Sequence, residues 1–538
     1  MHTSPFPSPQ VGRGEGEDYP MHEKNPPLVI LALDGGESRF IHRWVQEGYL
    51  PTIASVMKRG CWGKTSGSEH IAELGTWHSL LSGISRSQHG YYYFRQLRPC
   101  TYDLAPFSLR DTKTLPFWSH LRERDKKIIA IDAPECDLVP GLAGVQLANW
   151  AIHEAAPTVL PACSEPADLL EEVKQTFGPK TKILEFKINN DLQEDRQVYR
   201  RFLQRIERKG ALCRHLLRRG PFDLMVIGFH DAHTASHRFW KYLRKKDPGN
   251  RAIENNELTS AIRNIYQAID REMGLLLEKL SSSVNVFIVS AYGMEDQYPT
   301  TGLMEAFCRK LGYHVPAASS PFLANLVRHT QHLLPPVCHA VLDRCLPASI
   351  QERLISNQFH SSTNWKKTMA FAIPSLYTSF VRINLQGREP EGIVLAGTEY
   401  EALLDRLEND LKQLIDPITG ETPIRQISRT ANLFSSSFPD HLPDLFIEWK
   451  PAFHFIQTLV HPKTQLIQSK PYYFRDSYHS MTGFVLGAGP SIPRLGDIGN
   501  ISLLDLAPTF LCLMGEEVPH LLKGKPIKTL LTETVSPS

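Results

Sequence analysis

At 538 residues, with 42% hydrophobic and 22% charged side chains, the chain is large enough for two or three globular domains, or for one big core carrying an insertion. A formal charge of +2 is nearly neutral at this size and excludes a general affinity for nucleic acid or anionic membrane. The longest apolar runs, such as "LVILAL", are far too short to cross a bilayer, so no membrane is expected among its partners.

Residues 1–26 are rich in proline and glycine, lack an apolar signal-peptide segment and read as a disordered leader in which Met21 is an alternative start. The nine cysteines include no C-x-x-C pair, which favours free thiols and a cytoplasmic location. Regular structure is expected from Pro27, where "LVILAL" runs into Asp34 and two glycines, followed by helical periodicity over 38–59. Further strands are expected at 127–132, 223–229, 284–292, 444–449 and 482–489, with amphipathic helices at 191–218, 257–281, 398–415 and 503–514. Strands alternating with helices predict an α/β fold, a mostly parallel sheet sandwiched by helices. The rhythm breaks between about 299 and 440, opening with apolar helical stretches around 320–356, and predicts an inserted cap subdomain there. The expected division is a leader (1–26), a core in two parts (27–298 and 441–527), the cap between them, and a tail (528–538).

The stretch "GFHDAHTASHRFW" places His230, His233 and His237 within eight residues, directly after an apolar strand. Open α/β sheets gather their ligand sites at such strand ends. His233 and His237 stand one helical turn apart, a spacing at which two imidazoles can chelate one ion, though surface helices also carry histidine as decoration. His230 precedes the helix and is expected to be a solvated or capping residue. Secondary candidates are Trp150 and His153 in "ANWAIHEAA" and Arg95 in "YYYFRQL", each with a structural role as the simpler expectation. His89-Gly90 is expected to serve the turn that closes a helix over 74–83.

Several stretches together resemble one family. "ILALDGGESRFIHRWVQEGYLPTIASVMKRGCWG", "LLSGISRSQHGYYYF", "VRINLQGREPEGIV", "DPITGETP", "YHSMTGFVLGAGPSI" and "SLLDLAPTFLCLMGEEVPHLLKGKPI" follow, in order, segments of the alkaline phosphatase superfamily in its type I phosphodiesterase/nucleotide pyrophosphatase branch. The resemblance implies an alkaline phosphatase-like core. It also implies two metal ions, usually zinc, that activate a Thr or Ser nucleophile and balance phosphoryl charge. By position, Asp34 matches the first-strand metal ligand, His237 the later histidine of an Asp-x-x-x-His pair and His479 the last metal histidine, while His233 stands where that pair has aspartate.

The pattern is broken at three points. Where the family has Ser-Asp-His-Gly-Met, this chain has Ser290-Ala291-Tyr292-Gly293-Met294, which removes both remaining second-metal ligands. Glu295 and Asp296 lie just beyond and could replace them only against their register. The nucleophile position falls on Glu73, a possible ligand or base, with Thr76 one turn further as the alternative nucleophile. No Cys-x-Pro-x-Arg or Ser-x-Pro-x-Arg occurs, so a sulfatase route is unsupported. His233, His237 and His479 would form a three-nitrogen site with one open position, and Asp34 and Glu73 would be nearby as bridging or supporting carboxylates. The expectation is a divergent metal-dependent hydrolase of phosphodiester, pyrophosphate or related small-molecule esters, with one zinc per chain and Glu73 and Thr76 as catalytic candidates. The alternative is a binding or regulatory protein that keeps the fold without the chemistry.

Overall fold

Along Leu28–Leu33 every residue is buried, yet alternate ones face different cores: Val29, Leu31 and Leu33 join one apolar cluster, Leu28, Ile30 and Ala32 the other. A strand that is apolar throughout belongs in the middle of a sheet covered on both faces. The computed structural model, which describes residues 25–152, 160–183, 191–243, 257–317, 347–434, 440–471 and 475–531, places it there. The central sheet has nine strands in the order Gly496–Ser502, Cys61–Ser66, Gly483–Ala488, Asn285–Ser290, Leu28–Leu33, Leu224–Phe229, Ile128–Ile131, Gly144–Ala148, Cys163–Glu165. Cys163–Glu165 and Gly483–Ala488 run against the others, and the rest are parallel.

Helices cover both faces. Ser38–Gln46, Pro51–Arg59, Leu192–Leu216 and Ala261–Leu277 pack on one side, Thr76–Ser82 and Leu506–Leu513 on the other. The periodicity over 38–59 resolves into two helices, because Gly48 (φ +80°) and Pro51 interrupt it. Gly83, in the left-handed conformation, closes Thr76–Ser82, and Gly90 closes a separate short helix, Arg86–His89. The expectation that His89-Gly90 ends the longer helix is therefore corrected: the glycine nearest the end does so.

A second, antiparallel sheet, Ala370–Ile373, Ser379–Ile383, Leu445–Trp449, Ile424–Arg429, packs with helices Thr398–Lys412 and Leu303–Lys310 around its own apolar cluster. It takes in Leu445–Trp449, beyond residue 440. Residues 1–24 of the leader (1–26), His153 and most of the 320–356 stretch lie outside the described residues; the end of that stretch forms the helix Ala348–Ser361. No helix among the described residues is long and apolar enough to cross a membrane.

Candidate metal centre

Four neighbouring parallel strands deliver polar side chains from their carboxyl ends: Asp34 follows Leu28–Leu33, His230 follows Leu224–Phe229, Tyr292 follows Asn285–Ser290, and Asp132 and Glu135 follow Ile128–Ile131. The turn after Asp34 is tight because it must pass His233. At Gly35 (φ +63°) a Cβ would stand 2.8 Å from the backbone of His233, so only glycine fits. Helix Asp231–Phe239, which carries His233 and His237, is anchored by two fully buried ion pairs, Arg205 to Asp231 (2.8 Å) and Arg238 to Asp195 (3.0 Å).

His479 arrives on the strand Ser477–Ser480, which pairs antiparallel with Gly293–Asp296 so that Met294 stands opposite His479. The three histidines are buried and their rings meet point to point. Nε2 of His233 lies 2.9 Å from Nε2 of His237 and 2.8 Å from that of His479, and the third edge is 3.3 Å. Each opposite ring nitrogen faces an acceptor. His233 Nδ1 lies 2.8 Å from Asp34 Oδ2, His237 Nδ1 lies 3.1 Å from the Ser477 carbonyl, and His479 Nδ1 lies 2.7 Å from Glu73 Oε2.

Those partners bear on what the centre could hold. At His233 and His237 the carboxylate and the carbonyl only accept, so a neutral ring there carries its proton on Nδ1 and turns an Nε2 lone pair inward, while His479 Nδ1 meets Glu73 Oε2 at ion-pair distance. Ring nitrogens within 3.3 Å of one another are held together by a shared proton or by a cation among them. A tetrahedral ion with metal–nitrogen bonds of about 2.0–2.1 Å keeps its nitrogens roughly 3.3 Å apart, so the rings need to spread by at most about half an ångström. The donor set fits a borderline ion that prefers imidazole. Among the described residues, these three histidines are the group able to hold a metal.

Asp34, matched to a metal ligand by position, sits behind His233 instead. Its Oδ2 is shared by His233 and His230 (3.0 Å), and its Oδ1 accepts from Trp77 Nε1 and the Tyr292 hydroxyl, both at 2.8 Å. Burial alone would push this carboxyl up, but His233 and His230, by charge and hydrogen bonds, hold it well below the usual carboxylate range. His230 stands at the N-cap position, as one half of its expectation had it, but the solvated half is corrected: it is buried, its side chain makes no capping hydrogen bond, and its ring nitrogens face Asp34 and the Asp132 carbonyl (2.8 Å).

Glu73 is brought to the centre, as the partner of His479. Thr76 is not offered to it: its hydroxyl donates to the Ala72 carbonyl (2.7 Å) and accepts from Arg86 Nη2 (3.1 Å). Arg95 is spent on a two-pronged ion pair with Glu352, Asp296 accepts from Trp240, and Glu295 pairs with Arg425. Trp150 is core, its backbone N–H bound to Asp132. Sequence reasoning missed Ser477 and Glu135. Ser477 carries no motif, but Glu135 follows a strand end and could have been noticed on that ground.

The type I phosphodiesterase / nucleotide pyrophosphatase family profile matches residues 28–473. The chain belongs to that family. It is also similar in fold to two solved structures, each at 12% identity. One is phosphonoacetate hydrolase from Sinorhizobium meliloti 1021 in complex with phosphonoacetate (93% of this chain, 97% of that one, TM-score 0.50). The other is an inactive murine ectonucleotide pyrophosphatase / phosphodiesterase 5 in complex with AMP (95% of this chain, 100% of that one, TM-score 0.47). No curated protein matches the chain in sequence. Family membership supports a hydrolase of the phosphoester class, and the chain has the alkaline phosphatase-like sheet.

Proposed function

We propose that the chain is a one-metal hydrolase of phosphodiester or related phosphoester bonds, with His233, His237 and His479 holding a single zinc ion. The observation that carries this is the inward convergence of three Nε2 atoms, each backed at Nδ1 by an acceptor. When bound, such an ion draws charge from a phosphoryl oxygen and makes water a better nucleophile at neutral pH. The residues do the rest. Asp34, Glu73 and the Ser477 carbonyl fix the three rings in the tautomer that leaves Nε2 free. With Thr76 tied to Ala72, the nucleophile is water rather than a side-chain alkoxide.

A second ion is not part of this proposal. Both Asp34 oxygens already accept two hydrogen bonds, and Ala291 offers no donor atom. The test is metal content per chain, measured beside hydrolysis of an aryl phosphodiester with and without chelator. One zinc and chelator-sensitive turnover are expected. One zinc with no turnover on aryl, pyrophosphate or alkyl esters would favour the binding-protein alternative, and no metal under zinc-replete conditions would remove the one-metal hydrolase and leave that alternative.

A further inference from the structure

Between the strand Cys61–Ser66 and the helix Thr76–Ser82 runs a stretch, residues 67–75, that is neither helix nor strand, and it carries Glu73. What gives it a shape is Arg86, which is fully buried. Arg86 Nη2 donates to the carbonyls of Glu69 and Ala72, both at 2.8 Å, and to the Thr76 hydroxyl at 3.1 Å. Nη1 donates to the carbonyls of Leu74 and Tyr91, the latter at 2.6 Å. The Glu69 side chain closes the arrangement by accepting from the Arg86 backbone N–H and from the Ser79 and Ser85 hydroxyls, all at 2.8 Å. The fit is tight. At Gly75 (φ +85°) a Cβ would stand 2.2 Å from the Tyr91 carbonyl oxygen and 2.9 Å from Arg86 Nη1.

A guanidinium is costly to take out of water, and buried charges are as a rule paired with an opposite one. Among the described residues the Arg86 guanidinium meets four carbonyls and a hydroxyl instead. Those of Glu69, Ala72, Leu74 and Thr76 flank Glu73 on both sides. A planar fork with donors fixed in direction suits that task, which a flexible ammonium does not. Glu135 holds the far end, its carboxyl accepting from the N–H of Gly75 (3.1 Å to each oxygen) and that of His78 (3.0 Å). Glu73 is thus set between pinned neighbours, with its Oε2 2.7 Å from His479 Nδ1.

We propose that Arg86 is a positioning residue of the metal centre: by shaping the stretch around Glu73 it sets that carboxylate against His479, and so governs how tightly the three histidines hold zinc. The inference rests on the one-metal reading above. The Arg86 guanidinium bonds to none of the three histidines, so its effect passes through Glu73. A carboxylate behind a ligating imidazole fixes the ring's orientation and raises its basicity, and a carboxylate that drifts loses both effects. An arginine that only filled the core would lower stability without any dependence on the residue at position 73.

The experiment measures zinc affinity by competition of zinc-loaded full chains with a chelator, with unfolding curves alongside. Wild type, Arg86→Lys and Glu73→Gln are compared with the double variant. Arg86→Lys keeps the charge and loses the fork; it should weaken zinc by about 10–100-fold, as Glu73→Gln does, and the double variant should be no weaker than Glu73→Gln alone. Thr76→Val is the gentler change, removing the hydroxyl that Arg86 Nη2 meets at nearly constant shape. It should cost about 3-fold, and only while Glu73 is present. It supplies the answer if Arg86→Lys does not fold. Losses that multiply in the double variant overturn the positioning role and leave the metal reading in place. So does wild-type affinity in Arg86→Lys, or in Thr76→Val where the lysine variant does not fold. A wild type that takes up no zinc under zinc-replete conditions removes the metal reading, and this inference with it.

Discussion

The Tyr292 hydroxyl donates a hydrogen bond to Asp34 Oδ1 across 2.8 Å. A neutral donor thereby stands where the family pattern has a metal-binding histidine, and the aspartate is satisfied without a second ion. Replacing Tyr292 by Phe leaves a buried ionised carboxylate one donor short. This should cost about 1–3 kcal/mol of stability, read from denaturant unfolding of the zinc-loaded chain. Metal content should stay at one. A second ion gained by this single change would show that the phenol was only blocking an otherwise complete site.

Glu73 and His479 form the matching relationship on the other side, 2.7 Å apart. Glutamine at position 73 keeps an acceptor for His479 Nδ1 and removes the charge, so zinc affinity should fall about 10–100-fold. Because Glu73 positions a ligand rather than moving a proton, turnover should return at saturating zinc. A turnover deficit that persists with the metal site full would restore the general-base role that the sequence position suggests.

Most of the sheet was legible because its strands are either continuous apolar runs, such as Leu224–Phe229 and Asn285–Ser290, or lie next to Gly and Pro punctuation. Leu445–Trp449 was recognised as a strand, but nothing in its composition says which sheet it joins, since pairing is decided by partners distant in the chain. The convergence of His233, His237 and His479 was legible through spacing and resemblance. What was not legible is the face each partner presents. Asp34 is a plausible ligand in one dimension and becomes the support of His233 only once Trp77, Tyr292 and His230 converge on it. His230 looked solvated because helix starts usually are, and the burial of this one follows from packing against Asp132.

The histidines divide into ligands and supports, and substitution should separate them. His479→Ala removes one of three protein ligands and should abolish stoichiometric zinc together with the melting shift that zinc produces. His230→Ala should keep one zinc per chain, because no Nε2 of the triangle is touched. Its melting temperature should still drop, since Asp34 Oδ2 and the Asp132 carbonyl each lose a buried polar neighbour. Metal analysis and melting curves on both variants, with and without chelator, check this. Full zinc retention in His479→Ala would refute the triangle as the binding site.

Acid should destabilise the fold through its buried neutral histidines well before the pH reaches the range of Asp34. Burial, helped by the Arg86 charge, lowers His70 and His78 to about 4, and burial with the Arg309 charge lowers His314 to about 3. These rings are neutral in the folded chain at pH 5, whereas in the unfolded chain they take up protons below about 6.5. The unfolded state then binds more protons, so stability is full above that value and falls as pH drops towards the folded values. Each such histidine contributes up to about 1.4 kcal/mol per pH unit in that window. Asp34, held well below the usual carboxylate range, adds its loss only further down. His314 offers the clean test, because it hydrogen-bonds Thr363 in the second sheet's subdomain, away from the metal ligands. Unfolding free energies of wild type and His314→Gln at pH 7.5, 6 and 5 should diverge at pH 7.5 by the cost of the substitution and converge as pH falls. Parallel pH dependences would mean that His314 is protonated in the folded chain, and that its burial carries no proton linkage.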